Sequence, residues 1–395
     1  MAYVDFTNAE VEVLEYLLYP YKITLSPSVD AADLIICGSD SATVSKPAIR
    51  ISRQQRLDRI PETTAHEGSV VNLAYDLISE CLNRFKKVME PEVSLKYRLI
   101  TKLPVQYNIV PSSIRSMFLK MQEIDTDLSR HLASEIARGI LTRAFSLLGF
   151  PLQRKRPPEL LITHDIDSER GLRRAEALRS VEDDLGIAST WFLPSDEYPL
   201  NQADARKFGE MARIGSHDTK HDGKLIHIRS HDRLVERLRR SRLELETIFE
   251  RQVNCFRSPL MQFSRRILHA LNEAGYQSDF SVPSWEPVHP TTMGGFGIES
   301  AMPFEIENVT EHPLTVFQDH QVLNVLGMST QEAVKFIVKQ AALVRSFDGD
   351  IVLCVHPDYK FADDLPSYKQ LLFSLQQVQN SDTRAVAAEL KSSNY

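Results

Sequence analysis

Apolar residues recur at three- and four-residue intervals along 11–21, 70–90, 112–150, 234–250, 264–276 and 330–347, the spacing that lays one apolar stripe on a helix. Between these segments lie short apolar runs. Two come early, ADLIICGSD (32–40) and PAIRIS (47–52), and seven follow: ELLITH (159–164), ASTWFLP (188–194), ARIGSH (212–217), VNCFRS (253–258), YQSDFSV (276–282), LTVFQD (314–319) and DIVLCVH (350–356). Runs of this length, rich in β-branched and aromatic residues and bounded by turn formers, read as buried strands. Seven strands alternating with helices predict an α/β fold with a parallel sheet, either barrel-like or doubly wound. Residues 1–95 predict a smaller α/β region, 96–155 a helical connector, and the basic, proline-bearing QRKRPPE at 153–159 a boundary before a third region spanning 156–395.

Composition narrows the class without selecting a chemistry. An apolar fraction of 43%, a charged fraction of 25% and a length of 395 residues describe a globular protein with a sizeable core. The net charge of -7 argues against nucleic acid as a partner, and no apolar run reaches the roughly 20 residues of a membrane span. Cys37, Cys81, Cys255 and Cys354 stand singly inside or beside apolar runs, which predicts reduced core thiols. The first residues, MAYVDFTNAEVEVLEYLLYPYK, lack a basic segment before an apolar stretch, so the expected location is cytoplasmic.

The strand ends carry the chemistry. In LLITHDIDSE (160–169) a buried run ends in His164, Asp165 and Asp167, a charge cluster that costs free energy unless something pairs with it. A metal ion would do so. GSHDTKHDG places His217 and His221 four residues apart, which on a helical turn would bring both imidazoles to one face. Arg257 follows the next strand, Asp279 and Trp285 the one after, Gln318, Asp319 and His320 the sixth, and His356 the last. In parallel α/β folds, chemistry gathers at such C-terminal strand ends. Two imidazoles and one carboxylate leave open coordination positions on a cation, as a catalytic site requires.

The order THDID, SHDTKH, RSP, DFSVPSW, VHPD across about 159–360 resembles the polysaccharide deacetylase superfamily, the NodB-homology or carbohydrate esterase family 4 group, in its THDVD-type branch. The resemblance implies a distorted (β/α) barrel and a divalent metal, zinc first, with cobalt or manganese as alternatives. It also implies hydrolytic removal of an acetyl group from an N-acetylated sugar. Carried over by position, it makes Asp165 the general base, and Asp167, His217 and His221 the metal ligands. Arg257 would orient the base, His356 would be the general acid, and Asp279 and Trp285 would support that acid and wall the pocket. His164 and Pro259 are expected at the substrate. The sequence departs from the commoner pattern where Ile166 separates the aspartates and where Leu260 and Met261 follow the RSP proline.

Competing structural roles exist for each residue. Asp167 or Ser168 could cap the helix that follows, Arg257 could serve only as an ion-pair partner, His356 could be a strand-end hydrogen bonder, and Trp285 could be core packing. The expected function is metal-dependent hydrolysis of an N-acetyl group on a small-molecule or glycan precursor. The alternatives are hydrolysis of a non-sugar amide or cyclic imide, and a catalytically silent carbohydrate-binding relative. A non-haem iron oxygenase also uses two histidines and a carboxylate, but ordinarily on an all-β jelly roll.

Overall fold

The computed structural model describes residues 1–38, 46–52, 64–100, 124–292 and 294–381. The helical pattern expected over 101–123 lies outside them.

The N-terminal region is a six-stranded sheet built from β1 (Ala2–Asp5), β2 (Leu25–Ser26), β3 (Leu34–Gly38), β4 (Ala48–Ile51), β5 (Thr64–Glu67) and β6 (Val70–Leu73). Its order is β2-β1-β3-β4-β6-β5, parallel except for the β5–β6 pair. Helix α1 (Asn8–Leu18) follows β1 and α2 (Leu77–Met89) follows β6. The single helix expected over 70–90 is corrected here. Val71 and Leu73 turn inward at period two, making β6, and Asp76 accepts a hydrogen bond from the Ser79 N–H at 3.0 Å, so the helix starts only there.

Two further helices, α3 (Leu95–Ile100) and α4 (Ala133–Leu147), join this region to the larger one. Arg138 of α4 is fully buried, bonded to the Leu17 carbonyl at 3.0 Å, the Ser300 hydroxyl at 2.8 Å and the Glu135 carboxylate, and Tyr16 of α1 bonds Ser134 at 2.7 Å. A buried cation bonded to carbonyl, hydroxyl and carboxylate oxygens, and lying over the Tyr16 ring at 5.0 Å, ties α1, α4 and the 298–302 segment into one packed unit.

The larger region comprises strands β7 (Leu160–Asp165), β8 (Ser189–Leu193), β9 (Arg213–Ser216), β10 (Cys255–Phe256), β11 (Ser278–Asp279), a hairpin β12 (Glu286–His289) and β13 (Gly294–Phe296), then β14 (Phe304–Ile306), β15 (Val309–Glu311) and β16 (Ile351–Cys354). Helices α5 (Glu169–Leu185), α6 (His231–Phe249), α7 (Arg265–Ala274), α8 (Thr330–Ser346) and α9 (Leu365–Asn380) follow the strands or close the chain. The curled sheet runs β14-β15-β11-β10-β9-β8-β7-β16, all parallel except the β14 edge. Serines start its helices: Ser168, Ser230, Ser264 and Ser329 each accept a backbone N–H from the first turn of α5, α6, α7 and α8. Ser168, not Asp167, is therefore the cap.

Seven parallel strands form the distorted barrel, but one of the seven differs from expectation. LTVFQD does not form a strand; the polar Val309–Glu311 does. Leu314–Val316 instead stitches two edges with irregular bonds. The Leu314 N–H reaches the Val282 carbonyl at 2.9 Å, and the Val352 N–H reaches Thr315 Oγ1 at 2.8 Å, so this segment closes the curl between the chain beyond β11 and β16. All four cysteines are buried free thiols, and among the described residues no helix is long and apolar enough to cross a membrane.

Candidate metal and acid–base centre

Strand alternation explains the THDID spacing. Ile166 is fully buried and its N–H bonds the Phe192 carbonyl at 3.1 Å, so the strand path continues one residue past β7. Asp165 and Asp167, two apart, emerge on one side. His164 falls on the other.

That placement corrects the substrate-contact expectation for His164. Its ring is fully buried, stacked on Trp191 at 3.8 Å between centroids, with Nδ1 on the Val355 carbonyl at 2.9 Å and Nε2 on the Glu182 carboxylate at 2.5 Å. Both nitrogens are used, so His164 braces the backbone beside His356 from behind the sheet.

His217 and His221 converge, with ring centroids 5.4 Å apart, but not on a helical turn as the spacing predicts. The loop turns at Asp218, whose φ is 66°. This left-handed non-glycine backbone carries a cost of about 1–3 kcal/mol and persists only where neighbours enforce it. Arg237 of α6 does so, forking onto both Asp218 oxygens at 2.8 and 2.6 Å and reaching Asp222 at 2.8 Å. The two acids flanking the histidine pair are thus held by one guanidinium. The His221 N–H is anchored on Glu197 at 3.0 Å, and Tyr97 of α3 donates to the Gly223 carbonyl at 3.0 Å.

The His217 Nδ1 lies 2.9 Å from the Arg257 carbonyl, which makes Nδ1 the protonated nitrogen and turns the Nε2 lone pair toward Asp167. Asp167 Oδ1 is 3.4 Å from His217 Nε2 and 3.5 Å from His221 Nε2. Among the described residues neither Asp167 Oδ1 nor His217 Nε2 has a hydrogen-bond partner, although both atoms are buried. Such orphaned atoms are rare and call for an explanation. Two imidazole nitrogens and a carboxylate oxygen, with all three donor atoms within 4.8 Å of one another, are a donor set that fits a divalent cation.

Asp165 is balanced differently. Arg257, fully buried, donates from Nη1 to Asp165 Oδ1 at 2.9 Å and from Nε to the Phe280 carbonyl at 3.0 Å, its plane over the Phe192 ring at 4.7 Å. Burial opposes ionisation of Asp165, but Arg257, His217 and His356 outweigh it and hold the carboxyl below its usual range. Arg257 neutralises Asp165, whereas the counter-charges of Asp167 are imidazoles alone, with the Asp165 and Asp358 carboxyls nearby, which leaves Asp167 the carboxylate more available to a cation.

His356 stands across from this pair. Its Nε2 is 3.8 Å from Asp165 Oδ2, beyond hydrogen-bond reach, and its Nδ1 is 2.6 Å from Asp319 Oδ1. The second Asp319 oxygen accepts the His356 backbone N–H at 2.9 Å. Burial lowers the imidazole's proton affinity, yet Asp319, with Asp167 and Asp165, pushes its pKa up to about 10.

The expectation that Asp279 supports this acid is therefore corrected: Asp319 does. Asp279 accepts from Phe280 N–H at 2.9 Å and Ser281 Oγ at 2.6 Å. Burial raises it to about 6 beside its cross-strand neighbour Glu311, itself pushed well above the carboxylate range. Trp285 stacks face to face on His131 at 3.5 Å and donates to the Asp125 carbonyl at 3.1 Å, so the ring packs the connector onto the barrel. Trp285 also lines a small cavity with Glu286, Gln318 and Gln321. Pro259 is buried and opens a tight turn in which Leu260 and Met261 take φ of 57° and 52°.

The sequence offered a signal for Asp319, a carboxylate ending the apolar LTVF run just as Asp165 ends LLITH. Nothing local pointed to Arg237, one of several arginines on α6. Glu286 was also missed; burial pushes it up to about 7, and it accepts Nε2 of Gln318 at 3.1 Å and of Gln321.

No family model and no curated protein matches this chain. Solved structures similar to it are polysaccharide deacetylases and family 4 carbohydrate esterases. A Mycobacterium smegmatis protein assigned as a polysaccharide deacetylase is 16% identical, with a TM-score of 0.47, over 60% of this chain and 93% of that one. The family 4 carbohydrate esterase from Streptomyces lividans, in complex with acetate, is 14% identical, with a TM-score of 0.36, over 55% and 88%. The chitin deacetylase of Colletotrichum lindemuthianum is 11% identical, with a TM-score of 0.39, over 57% and 84%.

Proposed function

We propose that this protein is a metal-dependent hydrolase that removes an N-acetyl group from a sugar. One observation carries the reading: the Asp167, His217 and His221 donor atoms, all within 4.8 Å of one another, stand beside a buried Asp165–Arg257 pair, with His356 Nε2 3.8 Å from Asp165. The three donors would hold a divalent cation, zinc by the nitrogen-rich ligand set and the family resemblance, with cobalt or manganese as substitutes. Such an ion supplies Lewis acidity and makes water acidic enough to attack near neutral pH.

The chain's own residues perform the proton transfers. Asp165, ionised and oriented by Arg257, takes a proton from the attacking water as the new C–O bond forms. His356 Nε2 gives its proton to the amide nitrogen as the C–N bond breaks, so that the amine leaves neutral. The proton on Asp165 then moves 3.8 Å to His356, downhill from a carboxylate of lowered pKa to an imidazole of raised pKa. One water is consumed, acetic acid and the neutral amine are the immediate products, the acid passes its proton to the amine or to solvent as it leaves as acetate, and both side chains return to their starting states. The strained turn at Leu260 and Met261 lies beside Arg257, and a backbone N–H of that loop is the candidate donor to the developing oxyanion, a contact worth about 3 kcal/mol.

The sugar assignment is supported by the ordered motifs of the sequence. Acetate release from N-acetylated sugar nucleotides, with zinc, cobalt or manganese supplied in turn, tests it. Turnover should appear with metal, vanish with chelator, and be lost in Asp165→Asn while the cation stays bound. Production of a carboxylated product without acetate would replace the sugar reading with amide or imide hydrolysis.

A further inference from the structure

On the outer helical layer, His231 at the first position of α6 meets His269 and Glu273 of α7. The Nε2 atoms of both histidines lie 3.1 Å from the same oxygen, Glu273 Oε1. The imidazole centroids are 5.1 Å apart, and one ligand atom from each residue lies within 4.8 Å of the others. His269 and Glu273 come together because they are one helical turn apart; His231 arrives from a different helix.

A second observation bears on what occupies this spot. His269 Nδ1 is 3.1 Å from Glu307 Oε2, and Glu307 is itself held by Arg265 at 3.1 Å. A carboxylate on Nδ1 fixes that nitrogen as the donor and leaves the Nε2 lone pair facing Glu273, the outer-sphere arrangement that orients ligating histidines. With Nδ1 as the donor to Glu307, the approach of Nε2 to Glu273 needs a positive charge, supplied either by a second proton on the ring or by a cation held between the two. His231 Nε2 meets the same oxygen at 3.1 Å, a hydrogen bond whose proton a cation would replace, so that one ion would take up both nitrogens and the carboxylate.

We infer that His231, His269 and Glu273 form a second divalent-cation site, for a nitrogen-preferring ion of the zinc class. The three side chains are 34%, 49% and 45% exposed, so water completes the coordination and the site exchanges freely with solvent. Its effect is mechanical. It staples α6 to α7, and α6 carries the Arg237 that pins the His217–His221 loop, while α7 follows directly on the Arg257–Ser264 segment.

Equilibrium dialysis of the full chain against zinc separates the two sites. Wild type should bind two ions, His269→Ala/Glu273→Gln one, and His217→Ala one. Zinc should also raise the melting temperature of His217→Ala protein, and this shift should disappear when the outer substitutions are added. If the outer variant binds as much zinc as wild type, or His217→Ala binds none, the outer site does not exist. If wild type binds a single ion that the outer variant loses, the outer site stands and the inner metal reading fails instead.

Discussion

Two imidazoles and a carboxylate come together twice in this molecule, and the two clusters differ in nearly everything except their ligands. At the barrel mouth, His217, His221 and Asp167 have side chains 1%, 22% and 15% exposed, and Asp165 and His356 are their charged neighbours. On the helical layer, His231, His269 and Glu273 are open to water, and the charged groups nearest them are Arg239, Arg265 and Glu307. Both clusters fix one histidine through Nδ1, by the Arg257 carbonyl in the first and the Glu307 carboxylate in the second. Ligand identity therefore does not separate a reactive centre from a staple. The separation comes from what stands opposite: a base balanced by a buried guanidinium and an acid kept protonated, in a place from which most water is excluded.

The comparison breaks most completely at the inner ligands. His217→Ala should lower kcat/KM by about a thousandfold, roughly 4 kcal/mol of transition-state stabilisation, and abolish inner cation binding. The same substitution at His269 should leave turnover within about twofold, because that cluster touches no reacting group. Steady-state kinetics on both variants, with metal analysis, reads the contrast directly, and equal losses would erase the distinction drawn here.

Removing the acid's partner probes the opposite wall. His356 is raised from 6.5 to about 10, so the folded protein holds that proton more tightly than the unfolded chain. Its contribution to stability is complete below about 6.5 and fades as pH climbs toward 10. The alkaline limb of kcat/KM should follow the same titration. In Asp319→Asn the limb should move toward neutrality, with a loss of about 10–100-fold at pH 8. A pH–rate profile whose alkaline limb does not move would mean that another group donates the proton.

The mildest change sharpens the geometry. Arg237→Lys keeps a charge near Asp218 but loses the fork that holds Asp218 and Asp222 together. Zinc affinity at the inner site should fall about tenfold, with the outer site unaffected. A metal-competition titration in the His269→Ala background isolates that number.

Much of this was legible in one dimension because strand ends have a sequence signature. A buried apolar run that stops at titratable residues marks the mouth of a parallel barrel, and Asp165, His217, Arg257 and His356 were each visible that way. Val309–Glu311 was not, since VTE is short and half polar, and its strand character comes from pairing with β11 and β14. Asp319 was visible as a residue but not as a partner, because it and His356 are 37 positions apart, with α8 and β16 between them. The α1–α4 packing through Arg138 joins positions more than 120 residues apart and leaves no local trace.

Local chemistry thus set the alternation of strands and helices, the serine starts of the helices and the side of the sheet on which Asp165 and Asp167 emerge, because period and capping act over a few residues. Only the folded chain decided that Asp319 rather than Asp279 holds His356, that His164 turns away behind the sheet, and that His231 meets His269. Those choices depend on distances between segments remote in sequence, which are fixed by how the helices pack on the curled sheet.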